Sequence, residues 1–96
     1  MKNSDAPKLL ERTSRAVADL GESATLSCVF GANPEPEVTW FKNAEPVGTG
    51  NRLALDSVSR GDSGVFTCVG KNHLGSQAAQ VTLDLIFRPL ILYLFA

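Results

Sequence analysis

Ninety-six residues, 44% of them hydrophobic and 20% charged, make a core for one small domain and not for two, and the chain is neither fibrous nor plainly disordered. Nine basic residues stand against ten acidic ones, with no cluster of Lys and Arg to track a phosphate backbone, which argues against nucleic acid as a partner. Two cysteines permit one disulfide without naming the compartment.

Residues 1–8 read as a polar lead-in. Leu9 and Leu10 open a first edge strand that the polar stretch RTSR interrupts; AVADL follows, and Gly21-Glu22 is a turn. From Ser23 the pattern sharpens. Ala24, Leu26, Cys28 and Phe30 alternate with Ser23, Thr25, Ser27 and Val29, the period of a strand with one buried face. GANPEPE is loop or extended edge. In the next strand Val38 and Trp40 face inward, Thr39 and Phe41 outward, and a one-residue slip would expel the indole from the core. NAEPVGTGN is turn material with room for one very short strand. Leu53, Leu55 and Val58 restart an inward face, and SRGDSG is a tight corner. Phe66, Cys68 and Gly70 share the inward face of another strand. NHLG is then a hairpin turn with Asn72 or Gly75 at positive φ. Ala79, Val81, Leu83 and Leu85 share a face of the final strand.

Short strands with turns between them and no helical periodicity give an all-β antiparallel sandwich or small barrel. Cys28 and Cys68 both fall on inward faces; if their strands lie in opposed sheets, the two side chains meet across the core and Trp40 packs against them. A metal site would need more ligands than two distant cysteines and His73, and a redox pair is usually closely spaced.

The arrangement resembles the immunoglobulin superfamily, specifically its intermediate set. Four stretches carry the likeness in order: GESATLSC (21–28), GANPEPEVTWFKN (31–43), RLALDSVSRGDSGVFTC (52–68) and VGKNHLGSQAAQVTLDL (69–85). It covers about 7–86 and leaves 87–96 as an apolar tail. The resemblance implies a two-sheet antiparallel immunoglobulin-like sandwich with Greek-key connections, held by a Cys28, Trp40 and Cys68 core with Leu26 and Leu55 beside it. The disulfide forms if the compartment is oxidising; reduced cysteines would still pack as small apolar side chains. Asp62 and Gly64 match the family's motif in the loop before the sixth strand, where the acid commonly pairs with an arginine; Arg52 is the first candidate and Arg60 the second. Two departures stand out. Phe66 occupies the place of the family's corner tyrosine, whose hydroxyl fastens that corner. The stretch between Trp40 and Asp62 is also short, so one of the two strands usual there is missing or vestigial, which exposes sheet edge.

No nucleophile–base constellation is present. His73 reads as a solvated turn residue. Glu35, Glu37 and Glu45 read as a solvated acidic rim rather than a carboxylate pair in a cleft. The glycines at 48, 50, 61, 64, 70 and 75 form no phosphate loop. Arg60-Gly61-Asp62 spells the tripeptide that integrins recognise, but in this fold it reads as corner geometry. The expectation is a module that is not an enzyme, binds no cofactor or metal, and recognises a protein partner, with Phe41 as one contact. The alternative is a mechanical spacer of a giant muscle or cytoskeletal protein. The first reading sets the chain at the cell surface or outside the cell, the second in the cytoplasm. Residues 1–20 show no secretory leader and no Asn-x-Ser/Thr sequon occurs. The tail, apolar but for Arg88 and Pro89, is too short to span a bilayer. It reads as the opening of a truncated transmembrane helix, as a segment that packs on the exposed edge or pairs two copies into a homodimer, or as an end with no structural task. Membrane contact follows only from the first.

Overall fold

Period-two alternation runs through most of the chain, and the computed structural model, which describes residues 4–86, turns it into eight strands. They are β1 (Asp5–Arg12), β2 (Arg15–Asp19), β3 (Ala24–Asn33), β4 (Glu37–Lys42), β5 (Glu45–Thr49), β6 (Arg52–Leu55), β7 (Gly64–Asn72) and β8 (Gly75–Ile86). One sheet has the order β1-β3-β6, the other β2-β8-β7-β4-β5. All neighbours are antiparallel except β2 and β8, which run parallel. Between β4 and β6 only β5 forms, so the expected loss of a strand falls on the three-stranded sheet and leaves β6 as its edge.

The N-terminal segment serves both sheets, β1 in the smaller and β2 in the larger. Thr13 N–H donates to Ser27 O at 2.9 Å and Ser27 N–H to Thr13 Oγ1 at 3.2 Å; Thr82 N–H then donates to Ser14 O at 3.1 Å. The polar stretch expected as an interruption is therefore the crossing, and a hydroxyl stands in for a ladder bond while the backbone changes partners. β1 also begins inside the expected polar lead-in, because Asp5 pairs with Asn33 and Pro7 is buried.

The inward faces meet in one core. Leu26, Cys28, Trp40, Cys68, Val81 and Leu83 are wholly inaccessible, and Phe66 and Val58 nearly so. Leu55 is half-buried against this cluster. Cys28 is disulfide-bonded to Cys68, joining β3 of one sheet to β7 of the other. Closing a loop of 40 residues contributes about 4 kcal/mol by the chain-entropy estimate. The indole N–H of Trp40 donates to Gly50 O at 2.8 Å, so the largest buried side chain carries no orphan donor. At Gly70 a Cβ would stand 2.7 Å from two ring atoms of Phe30, so the absence of a side chain on β7 lets that ring lie flat in the core.

The turns depart from expectation in one respect. Asn72 and Gly75 do not take positive φ; Asn43 and Ala44 do, at 52° and 69°. The physical reason lies in Asn72, whose Oδ1 accepts from Leu74 N–H at 2.9 Å and shapes the turn through its side chain.

Candidate interaction surfaces

Pleating decides which side chains leave the core. On the five-stranded sheet β4 presents Glu37, Thr39 and Phe41; β7 presents Val65, Thr67, Val69 and Lys71. β8 adds Ala78, Gln80 and Thr82, and β5 sets Pro46 beside Phe41 and Thr49 beside Thr39. Charge is confined to the two ends. Glu37 lies opposite Lys71 at one, and Arg15 Nε meets Asp84 Oδ2 at 2.7 Å at the other. Between them the surface is threonine, Gln80 and apolar side chains, with Phe41 half-buried and Val65 47% exposed. The outer face of the smaller sheet is more polar, and its exposed apolar residue Leu10 lies over Gly31.

The Arg-Gly-Asp tripeptide is wound into a 3₁₀ turn, Arg60–Asp62. Asp62 Oδ2 accepts from the backbone N–H of Ser59 at 2.8 Å and from its hydroxyl at 3.2 Å. The carboxylate thus turns back into its own corner instead of standing at a loop tip. Ser59, not Arg52, is what it meets: Arg52 is exposed on β6 and no ion pair joins it to Asp62, because a local hydroxyl and amide already satisfy the acid. Gly64 follows at φ +117°, a conformation L side chains rarely adopt. The Lys42 ammonium donates to Ser63 O at 2.8 Å and lies 5.3 Å from the centre of the Phe66 ring. Phe66 itself is 1% exposed.

At the other end of the domain, Pro34, Glu35, Glu37, Lys71, Asn72 and His73 line a shallow hollow. Glu45 lies apart from Glu35 and Glu37, on β5 opposite Lys42. Among the described residues no group of three acidic, His or Cys side chains could hold a metal ion. Asn72 is a residue that sequence reasoning did not single out beyond its turn. Its Nδ2 donates to Asp5 O at 2.8 Å and to Pro34 O at 3.1 Å, tying β1 and the β3–β4 loop to the β7–β8 hairpin. An Asn at a hairpin mouth was the available signal, but its distant partners are visible only in the fold.

A family model described as immunoglobulin domain matches residues 6–72, more than half the chain. The chain is an immunoglobulin domain. Among curated relatives, this immunoglobulin domain is 30% identical to chicken neural cell adhesion molecule 1 over 86% of its own length and 9% of that protein's. It is 35% identical to human Brother of CDO over 82% of the chain and 8% of the relative. It is 34% identical to Drosophila titin over 90% of the chain, a share of titin that rounds to 0%. The domain therefore spans a tenth or less of each of these relatives. A solved complex of a titin immunoglobulin domain with one of obscurin-like 1 superposes with a TM-score of 0.82 at 23% identity, covering 91% of this chain and 99% of that one. A chain from a solved complex of Dpr11 with DIP-gamma superposes at 0.75 with 25% identity, covering 85% of this chain and 48% of that one. Domains of this fold thus form complexes with one another in those proteins. The family is a non-catalytic one.

Proposed function

We propose that this immunoglobulin domain is a protein-recognition module of a larger modular protein and binds through the outer face of its five-stranded sheet. The observation that carries the reading is the uncharged middle of that face, where Phe41, Val65 and Val69 lie among threonines and Gln80 and the charged side chains stand at the ends. A recognition patch of this kind combines an apolar centre with a polar rim. Adhesion proteins among the relatives support the same reading. The Cys28–Cys68 disulfide supports an oxidising working compartment, at or outside the cell surface.

The test is adhesion of beads coated with the chain, to each other and to a panel of cell surfaces. Adhesion is expected, and Val65→Lys is expected to abolish it without moving the thermal midpoint, since Val65 packs no core. A chain that adheres to nothing, or adheres equally well with Val65→Lys, leaves the spacer role as the better account.

A further inference from the structure

The two sheets differ in width on one side of the sandwich. Leu9 N–H donates to Gln77 Oε1 and Arg12 Nη1 to Gln80 O, so β1 lies against β8. The disulfide sets β3 over β7. Following both strand orders one step further places β6 over β4. The larger sheet then continues to β5, while among the described residues the smaller one has no strand beyond β6. A place one strand wide is left beside β6 and above β5.

Which backbone groups face that place follows from two sets of bonds that agree. Cys28 N–H donates to Asn51 O at 2.8 Å, and Leu53 and Leu55 continue that ladder opposite Leu26 and Ala24. These residues turn their N–H and C=O groups toward β3, and ladder groups alternate sides along an antiparallel strand. Ser27, the partner of Arg52, spends its own backbone bonds on Thr13 at the far side of β3. Arg52 and Ala54 therefore turn their N–H and C=O groups into the open place. The chain does not fold back across them. Beyond β6, Val58 N–H donates to Glu22 O and Val58 O accepts from Gly21 N–H, both at 2.8 Å, which keeps the chain on the β3 side.

The side chains along this edge form a pattern. Arg52, Ala54 and Asp56 are exposed, and among the described residues no ion pair engages Arg52 or Asp56. Leu53 and Leu55 point the other way. Leu53 reaches over β5, where a Cβ on Gly48 would stand 2.6 Å from its Cδ1, and Leu55 is half-buried at the rim of the core. An antiparallel strand complements this edge when it reads base, apolar, small, apolar, acid. A second folded copy does not fit. Two copies joined β6 to β6 about a two-fold axis would each drive β5 into the layer of the other's β4.

We infer that the free edge of β6 is a strand-addition site for an extended segment of a partner protein, with a basic residue against Asp56 and an acidic residue four positions later against Arg52. The backbone groups of Arg52 and Ala54 supply the ladder, the two charges fix direction and register, and the apolar side chains of the segment extend the core over β5. The site lies on the other sheet from the face proposed above, and either stands without the other.

The probe is a synthetic heptapeptide, acetyl-Thr-Lys-Val-Thr-Val-Glu-Thr-amide, titrated into the ¹⁵N-labelled chain. A peptide of the same composition with Lys and Glu exchanged is the control. The first peptide is expected to shift the amides of Arg52 and Ala54 and to bind roughly tenfold more tightly than the second. Arg52→Glu combined with Asp56→Lys is expected to invert that preference without moving the thermal midpoint, since both side chains are exposed. Ala54→Pro removes an amide that faces only the open place and is expected to abolish binding; the charge exchange keeps the question answerable should the proline variant not fold. Val65→Lys leaves peptide binding intact. Shifts confined to other strands, equal affinity for both peptides, or no binding overturns the inference. So do shifts at these amides that depend on protein concentration without peptide, which assign the edge to a second copy.

Discussion

Two hairpins of equal loop length close in different ways. In the β4–β5 hairpin Lys42 pairs with Glu45, so Asn43 and Ala44 form the loop, both at positive φ. In the β7–β8 hairpin Asn72 pairs with Gly75, so His73 and Leu74 form the loop, and neither has positive φ. The first loop follows the twist of its strands through the backbone, which suits Asn but costs Ala about 1 kcal/mol. The second is held by the side chain of Asn72, which accepts from Leu74 and reaches out to Asp5 and Pro34. One turn is local and strained; the other is a junction of three chain segments.

Breaking the junction is expected to give the largest effect. Asn72→Ala removes three hydrogen bonds and should lower stability by about 2 kcal/mol, read as a fall in the urea midpoint with unchanged slope. A midpoint that holds steady would mean that water replaces the asparagine without loss. The strained turn moves the other way. Ala44→Gly should raise stability by about 1 kcal/mol, because glycine takes positive φ without a Cβ clash. A decrease would show that the methyl group contributes more than its conformation costs. The smallest effect concerns a third corner, the one closed by Asp62 and Ser59. Phe66→Tyr would add a hydroxyl tie there and should raise the thermal midpoint by no more than about 1 kcal/mol allows. An unchanged or lower midpoint would mean that the hydroxyl finds no acceptor beside a ring that is 1% exposed.

Sequence reasoning reached what period-two alternation and the family's spacing encode. Leu26, Cys28, Trp40, Phe66 and Cys68 lie in the core, and β8 turns Val81 and Leu83 inward. It stopped where the outcome depends on a distant partner. Alternation reports which face of a strand is buried but not which strand lies beside it, so nothing local in Thr13-Ser14 shows that the chain changes sheets there. The partner of Asp62 was sought in an arginine, Arg52 first and Arg60 second, and its carboxylate accepts instead from the amide and hydroxyl of Ser59, three residues away. Positive φ was sought at Asn72 or Gly75, since asparagine and glycine take it most readily. It fell instead at Ala44, where the register of β4 with β5 imposes it. The recognition surfaces were least legible, since an exposed valine or an unpaired amide acquires meaning only from its neighbours.

The crossing at Thr13-Ser14 also decides how the domain bears tension. β1 and β2 run in the same sense as β8, so Asp5 and Ile86 lie at opposite ends. A pull between those ends drags β2 and β8 past each other along their length. The ladder from Arg15 to Asp19 then shares the load across all its bonds at once, whereas a hairpin opened from its mouth yields one bond at a time.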